Sequence, residues 1–209
     1  MSRHLILASL VVIGSVLRIF AAASVVVSDE ATTVEKFAAS ELAGELGKCL
    51  GATPEKVREG AANGGVKLYV GATKAAKAVR GLKPWQTDEV FLKSVADGVV
   101  LDGDPIRAPI YAVDLYLEKY CGVRWWTSDA ATYPKLSAAL VNDIDLEYAP
   151  QFKYRETYYL DGFDPLFKVR SKGNFTSQTR FLLSELKFIP PEMGGNHRLC
   201  FFEGRRSAC

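Results

Sequence analysis

The chain has 209 residues, 48% of them hydrophobic and 24% charged, and a formal net charge of +2. Such apolar content supplies a real core and excludes a disordered protein. The near balance of charge, with no strongly basic run after the first two dozen residues, excludes an electrostatic nucleic-acid binder.

The opening "MSRHLILASLVVIGSVLRIFAAAS" has a short basic start, an apolar run from Leu5 to Leu17 and small residues at Ala21, Ala22 and Ala23. This is the three-part pattern of a secretory signal peptide, residues 1–23, with cleavage expected after Ala23. An uncleaved anchor would bury Arg18 in the membrane at a cost of roughly 2.5–3.5 kcal/mol, so no stable membrane insertion is expected. Cleavage removes Arg3 and Arg18 and leaves a neutral mature chain. A secreted or periplasmic protein is the expectation. Of the cysteines, Cys49 and Cys121 each end a predicted helix, and either a bridge between them or two buried free thiols suits that placement. No C-x-x-C spacing occurs, which disfavours zinc.

"SVVVS" (24–28) reads as a first strand. "TVEKFAASELAGELGKC" follows as a helix from Thr33 to Cys49, with Thr32 and Glu35 spaced as a capping box and Val34, Ala38, Leu42, Leu46 and Leu50 as its apolar face. Gly51 ends it, and "ATPEKVREGAANGG" reads as loop. "VKLYVGAT" is a second strand. "EVFLKSVADGVVLDGD" makes two more, turning at Asp97-Gly98. "PIYAVDLYLEKYCG" is a second helix with Pro109 in its first turn and Ile110, Val113, Leu117 and Cys121 as a buried stripe. "VRWWTSD" and "ALVNDIDLEYAP" complete a β-α-β-β-β-α-β-β order up to Pro150. An α+β fold, a mixed sheet with two helices on one face, satisfies that order. Beyond Pro150, "QFKYRETYY" reads as a strand, "DPLFKVRSKGN" as a short helix, and "LKFIPPEMGGNHRLCFF" as a second strand and loop.

The series "LYVG", "ADGVVLDGD", "YAVDLYLEKYCGVRWWTSD" and "PQFKYRE" resembles the N-terminal domain of α-glucuronidase-type glycoside hydrolases. It is closest to an exported, largely uncharacterised family in which that domain precedes a (β/α)-barrel. The same small domain precedes the barrel of family 20 β-hexosaminidases. The resemblance runs from about Val25 to Phe202, and its specific part is "YAVDLYLEKYCGVRWW" joined to "PQFKYRE". It implies an accessory α+β domain over residues 24–149. Residues 150–209 would then hold the first strand and helix and the second strand of a barrel.

By position in "FKYRE", Arg155 matches an arginine that contacts sugar hydroxyls in related barrels, a task suited to a planar five-donor guanidinium. "GGNHRLCFF" would set His197 at the barrel mouth. A barrel needs about 250 residues, so 155–209 is an incomplete one, and the catalytic carboxylates of the related hydrolases would lie on absent strands. The expectation is therefore the N-terminal part of an exported glycoside hydrolase, inactive alone. Its partner would be a glycan or polysaccharide, no cofactor is implied, and it would pack against the rest of the barrel. The alternative is a non-catalytic glycan-binding or interaction module.

Several other features read as structural. Trp125 and Trp126 alternate on a strand, so at most one can present a stacking face to a given surface. Asp102 with Asp104, and Asp143 with Asp145, invite a paired-carboxylate reading, but turn chemistry and strand edges account for them. "VGATKAAKAV" lacks the glycine and lysine spacing of a phosphate loop. Asn174-Phe175-Thr176 fits a glycosylation sequon.

Overall fold

A computed structural model describes residues 23–61, 64–157 and 159–174. Strand β1 (Ala23–Val27) leads into helix α1 (Thr33–Leu50), whose start is fixed by a complete capping box between Thr32 and Glu35. The loop expected after Gly51 contains a strand, β2 (Glu55–Arg58), which pairs in parallel with β1. Its Glu55, Lys56 and Arg58 are the charges that hid it, and they suit the exposed sheet edge where it lies.

Strand β3 (Val66–Val70) flanks β1 on the other side, and helix α2 (Lys74–Arg80) follows with Thr73 as its cap. Strands β4 (Val90–Val95) and β5 (Gly98–Gly103) form the expected hairpin, and helix α3 (Ala108–Lys119) starts with Pro109 in its first turn. Short β6 (Arg124–Trp125) and β7 (Ala131–Thr132) form a separate hairpin, and β8 (Asp145–Tyr148) returns to the sheet. The sheet is mixed, in the order β2-β1-β3-β5-β4-β8, with β2, β1, β3 and β5 parallel and β4 antiparallel to both neighbours.

Two apolar layers flank it. On one face α1 and α3 pack Leu42, Leu46, Ile110, Val113 and Leu117 onto Val25, Leu68, Leu92, Val99 and Leu101. This is the expected two-helix face, and its buried residues include the stripes read from α1 and α3, apart from Leu50, which is half-buried at its rim. On the other face Ala76 of α2, and Trp85 in the segment that follows it, cover Val26, Tyr69, Phe91 and Val100. The strand alternation predicts both layers: Val99 and Leu101 face one way, Val100 the other.

Gly98 is required where the hairpin meets β3. A β-carbon there would lie 1.7 Å from the Lys67 carbonyl oxygen, so no larger residue allows the parallel pairing. The Asp97 carboxylate beside it accepts from Lys67 Nζ and Tyr69 Oη, both at 2.9 Å.

The stretch "QFKYRE" is not a strand. Residues 151–157 make no ladder. Instead the Arg155 N–H donates to the Asn174 side chain at 2.9 Å, and its carbonyl accepts from the Asn174 N–H at 3.1 Å. The backbone groups that a strand would use are spent on a side-chain clasp. The expected short helix is present as α4 (Pro165–Arg170), capped by Asp164, and its Val169 joins the core beneath α1 and α3. The expected second barrel strand falls outside the described residues.

Candidate functional site

The densest polar constellation centres on Asp88, a residue the sequence reading passed over. Asp88 sits in the turn before β4 with a left-handed φ of 58°, a conformation that aspartate tolerates better than most side chains. It is fully buried. Its Oδ1 lies 2.5 Å from Arg107 Nε, an ion-pair contact, while Oδ2 accepts from Arg107 Nη2 at 3.1 Å. Oδ2 also accepts from Arg155 Nη2 at 2.7 Å and from Asn174 Nδ2 at 3.2 Å. The Asp88 N–H donates to Asp104 Oδ2 at 3.1 Å. One carboxylate thus ties the turn before β4, the start of α3 and the segments at 155 and 174.

Burial of such a group is tolerable only because both oxygens face cations or N–H donors. Arg155 spends its donors on the same clasp. Nε donates to the Lys172 carbonyl at 2.7 Å, Nη1 to the Phe152 carbonyl at 2.8 Å, and the guanidinium lies 5.8 Å from the Tyr111 ring. The Tyr111 hydroxyl, which donates to the Gly173 carbonyl at 2.8 Å, is pushed well up by burial, then by the Asp88 charge. Arg155 keeps a side-chain exposure of 18%. A small recess beside it is lined by Asp88, Tyr111, Tyr148, Pro150 and Lys172. His197 lies outside the described residues.

A second polar group lies between α1 and α4. Arg170 of α4 donates through Nε to Glu41 Oε1 at 2.8 Å, reaches Glu45 Oε1 at 3.2 Å, and stacks 4.9 Å from the Trp125 ring. Glu45 also accepts from Tyr133 Oη at 2.7 Å and Trp125 Nε1 at 3.2 Å. Below them Asp114 is fully buried, and among the described residues neither of its carboxylate oxygens has a hydrogen-bond partner. Burial, then the Glu41 charge, drives its carboxyl well above the ordinary carboxylate range. The sequence held a signal for this one: Asp114 falls within the stripe Ile110, Val113, Leu117 that α3 buries.

The tryptophans separate as alternation requires. Trp125 is half-buried against the core, while Trp126 is 65% exposed.

The carboxylate pairs do not form a cleft. Asp145 is an exposed edge residue paired with Lys93 at 2.6 Å, and Asp143 occupies a turn with φ 56°. Asp104 caps the Asp88 turn. Asp102 is buried, and that burial raises it to about 6, against the hydrogen bond from the Gly103 N–H. Among the described residues, no group of three or more metal-ligating side chains occurs.

The strand-glycine-helix loop of "VGAT" is filled from inside. Glu35 accepts from the Ala72 N–H at 2.7 Å and the Thr32 N–H at 2.6 Å, and a β-carbon on Gly71 would lie 2.2 Å from its oxygen. The backbone donors that would cradle a phosphate already hold a carboxylate.

No family model and no curated protein matches the chain. Among solved structures it is similar to a GH138 enzyme targeting pectin rhamnogalacturonan II, at 14% identity and a TM-score of 0.39. The match covers 66% of this chain and 14% of that one, so this chain spans a small part of the enzyme's length. No helix of the described residues is long and apolar enough to cross a membrane.

Proposed function

We propose that the chain is the N-terminal part of an exported carbohydrate-active protein, a glycoside hydrolase acting on a polysaccharide or other glycan. What supports the reading is the physical union of its two most specific sequence halves. Tyr111 of "YAVDLYLEKYCGVRWW" and Arg155 of "PQFKYRE" meet over the Asp88 carboxylate, so the two stretches that carry the resemblance pack together.

In the complete protein Arg155 would present its exposed edge to a sugar hydroxyl while Asp88 holds the other edge, and His197 would stand at the barrel mouth. Hydrolysis needs two carboxyl groups set about 5–9.5 Å apart across the bond. Asp104, Asp143 and Asp145 serve turns and a strand edge, and the catalytic pair would come from later barrel strands. The chain by itself would be inactive.

The test compares the 209-residue chain with one extended by the coding sequence that follows Cys209, each assayed for reducing sugar on a polysaccharide panel. The extended protein is expected to release sugar and the short one to release none. Turnover by the short chain, abolished by Arg155→Ala, would overturn its inactivity. An inert extended protein, or downstream DNA with no barrel-like sequence in any frame, would overturn the hydrolase reading.

A further inference from the structure

We propose that residues 165–174, α4 and the turn after it, form a proton-linked latch that closes over Asp114 while that carboxyl holds its proton and opens when the proton leaves. The latch runs along one line of α3. Tyr111, Asp114 and Glu118 are spaced three and four residues apart, so they share a face of the helix. The latch holds both outer members: the Tyr111 hydroxyl donates to the Gly173 carbonyl at 2.8 Å, and Lys172 Nζ donates to Glu118 Oε2 at 2.6 Å. Asp114 sits between them, fully buried, and among the described residues neither carboxylate oxygen has a hydrogen-bond partner.

The charges that face Asp114 are already matched. From α1, Glu41 and Glu45 meet Arg170 of the latch at 2.8 and 3.2 Å, and Glu45 also meets Lys48 at 2.6 Å. Lys172 of the latch meets Glu118 of α3 itself. An ionised Asp114 would be one more acid, with no cation left to pair it. A buried charge without a partner is costly, and a neutral acid far less so. Burial, then the Glu41 charge, raises the Asp114 carboxyl against the pull of Lys172 and Arg170.

Little apolar burial opposes release. Phe167 and Val169 are the buried apolar side chains of α4, so the polar balance at Asp114 weighs heavily on whether the latch is shut. The raised carboxyl fixes the sign: the closed form is favoured at acid pH. Above the ordinary carboxylate range its advantage falls by up to about tenfold per pH unit, until Asp114 ionises in the closed form.

Opening reaches the Arg155 site. The Lys172 carbonyl accepts from Arg155 Nε, and Asn174 brackets the Arg155 backbone while donating to Asp88. Release would strip these contacts from Arg155 and leave its bonds to Asp88 and the Phe152 carbonyl. Acidity would then set whether Arg155 is held in the pose that the hydrolase reading gives it. That consequence rests on the reading above; the latch does not.

The test is hydrogen exchange of the whole chain at pH 5, 6, 7 and 8, followed by mass spectrometry and corrected for the intrinsic rate at each pH. Peptides covering residues 171–174 report the latch, whose amides donate to the Phe167, Val169, Lys168 and Arg155 carbonyls. Peptides of β1, β3 and β5 report the whole fold. Latch protection is expected to lie below that of the sheet and to fall by up to about tenfold per pH unit. In Asp114→Asn and Asp114→Leu, shown to be folded by thermal melts, that fall should be absent.

Latch protection that stays constant with pH in the wild type would overturn the proposal. So would latch protection equal to that of the sheet at every pH, since Asp114 would then be exposed only when the whole fold opens. Both are read on the wild type alone. An undiminished fall in either folded variant would overturn it too, because another group would carry the linkage. None of these outcomes touches the extended-chain assay, and an inert extended protein would sink the hydrolase reading and leave the latch standing.

Discussion

Asp88 and Arg155, 67 positions apart, share a hydrogen bond of 2.7 Å in which the carboxylate is fully buried and the guanidinium is not. The asymmetry sets the cost of breaking it. Asp88→Ala would take away the carboxylate that Arg107 pairs with here, and removing one partner of a buried pair costs about 3–5 kcal/mol. Arg155→Ala leaves Asp88 still paired with Arg107 and should cost clearly less. Urea unfolding of both single variants and the double variant checks this, with a coupling energy for the pair as the readout. Equal costs for the two single changes would contradict the assigned roles.

Asp102 gives the chain a pH dependence with a definite sign. Its folded-state value, raised by burial to about 6 from 3.8, means that folding favours the protonated acid. Its contribution to stability is complete below the unfolded value and is lost as pH rises through about 6. Asp102→Asn, which keeps an oxygen for the Gly103 N–H, should therefore match the wild type near the unfolded value. It should gain on the order of 2–3 kcal/mol above the folded one. Asp114→Asn should act in the same direction, since burial raises that carboxyl too. Melting curves from pH 3.5 to 8 for the wild type and both variants measure the difference.

Asn174 satisfies a glycosylation sequon in sequence, yet it is 2% exposed and donates through Nδ2 to the Lys153 carbonyl at 2.6 Å and to Asp88. A glycan on that nitrogen would replace one of its two hydrogens, so both bonds could not be kept. Expressed in a host that glycosylates secreted proteins, the folded fraction should show no mass increase at Asn174. Any glycosylated fraction should be aggregated or retained. Intact mass spectrometry of soluble, folded protein decides it.

Cys49 and Cys121 are buried free thiols in the structure, the second of the two arrangements their placement allowed. Burial pushes the Cys121 thiol up to about 12 and also raises Cys49. Neither should be alkylated by iodoacetamide at pH 8 in the native state, because the thiolate is the nucleophile. Both should react once urea unfolds the chain. Peptide mapping with and without denaturant tests this.

Gly98→Ala should be far more damaging than an ordinary surface substitution, because the added carbon meets backbone, which cannot swing aside. A loss of at least ~1–3 kcal/mol is expected, the scale of overpacking in a close-packed interior. Thermal denaturation, with Gly60→Ala as a control in open space, measures it.

Where sequence rules are local and periodic, they transferred well to the fold. The Thr32–Glu35 box, the Asp97-Gly98 turn, the Pro109 start and the Asp164-Pro165 start each hold, because each depends on a few neighbouring residues. Strand β2 escaped because edge position, a long-range fact, selects charged residues that read as loop. Helix α2 escaped because seven residues carry too few buried positions to show a period. The candidate site was harder still. Arg155 enters by resemblance alone, and the carboxylate that holds it stands 67 positions upstream in "WQTDEV", where nothing local marks Asp88 as buried. Asp114 alone could have been flagged, as an acid on an apolar stripe.

The Asp88 clasp also has an order in time. A chain is made from its N-terminus, so Asp88 and Arg107 emerge long before Arg155 and Asn174, the last partners of the same carboxylate. Until Asn174 arrives, Asp88 holds only part of its final set of donors, and Tyr111 has no Gly173 carbonyl to bind. Sheet and helices can assemble early on the ribosome, but the seam that locks them waits for Asn174.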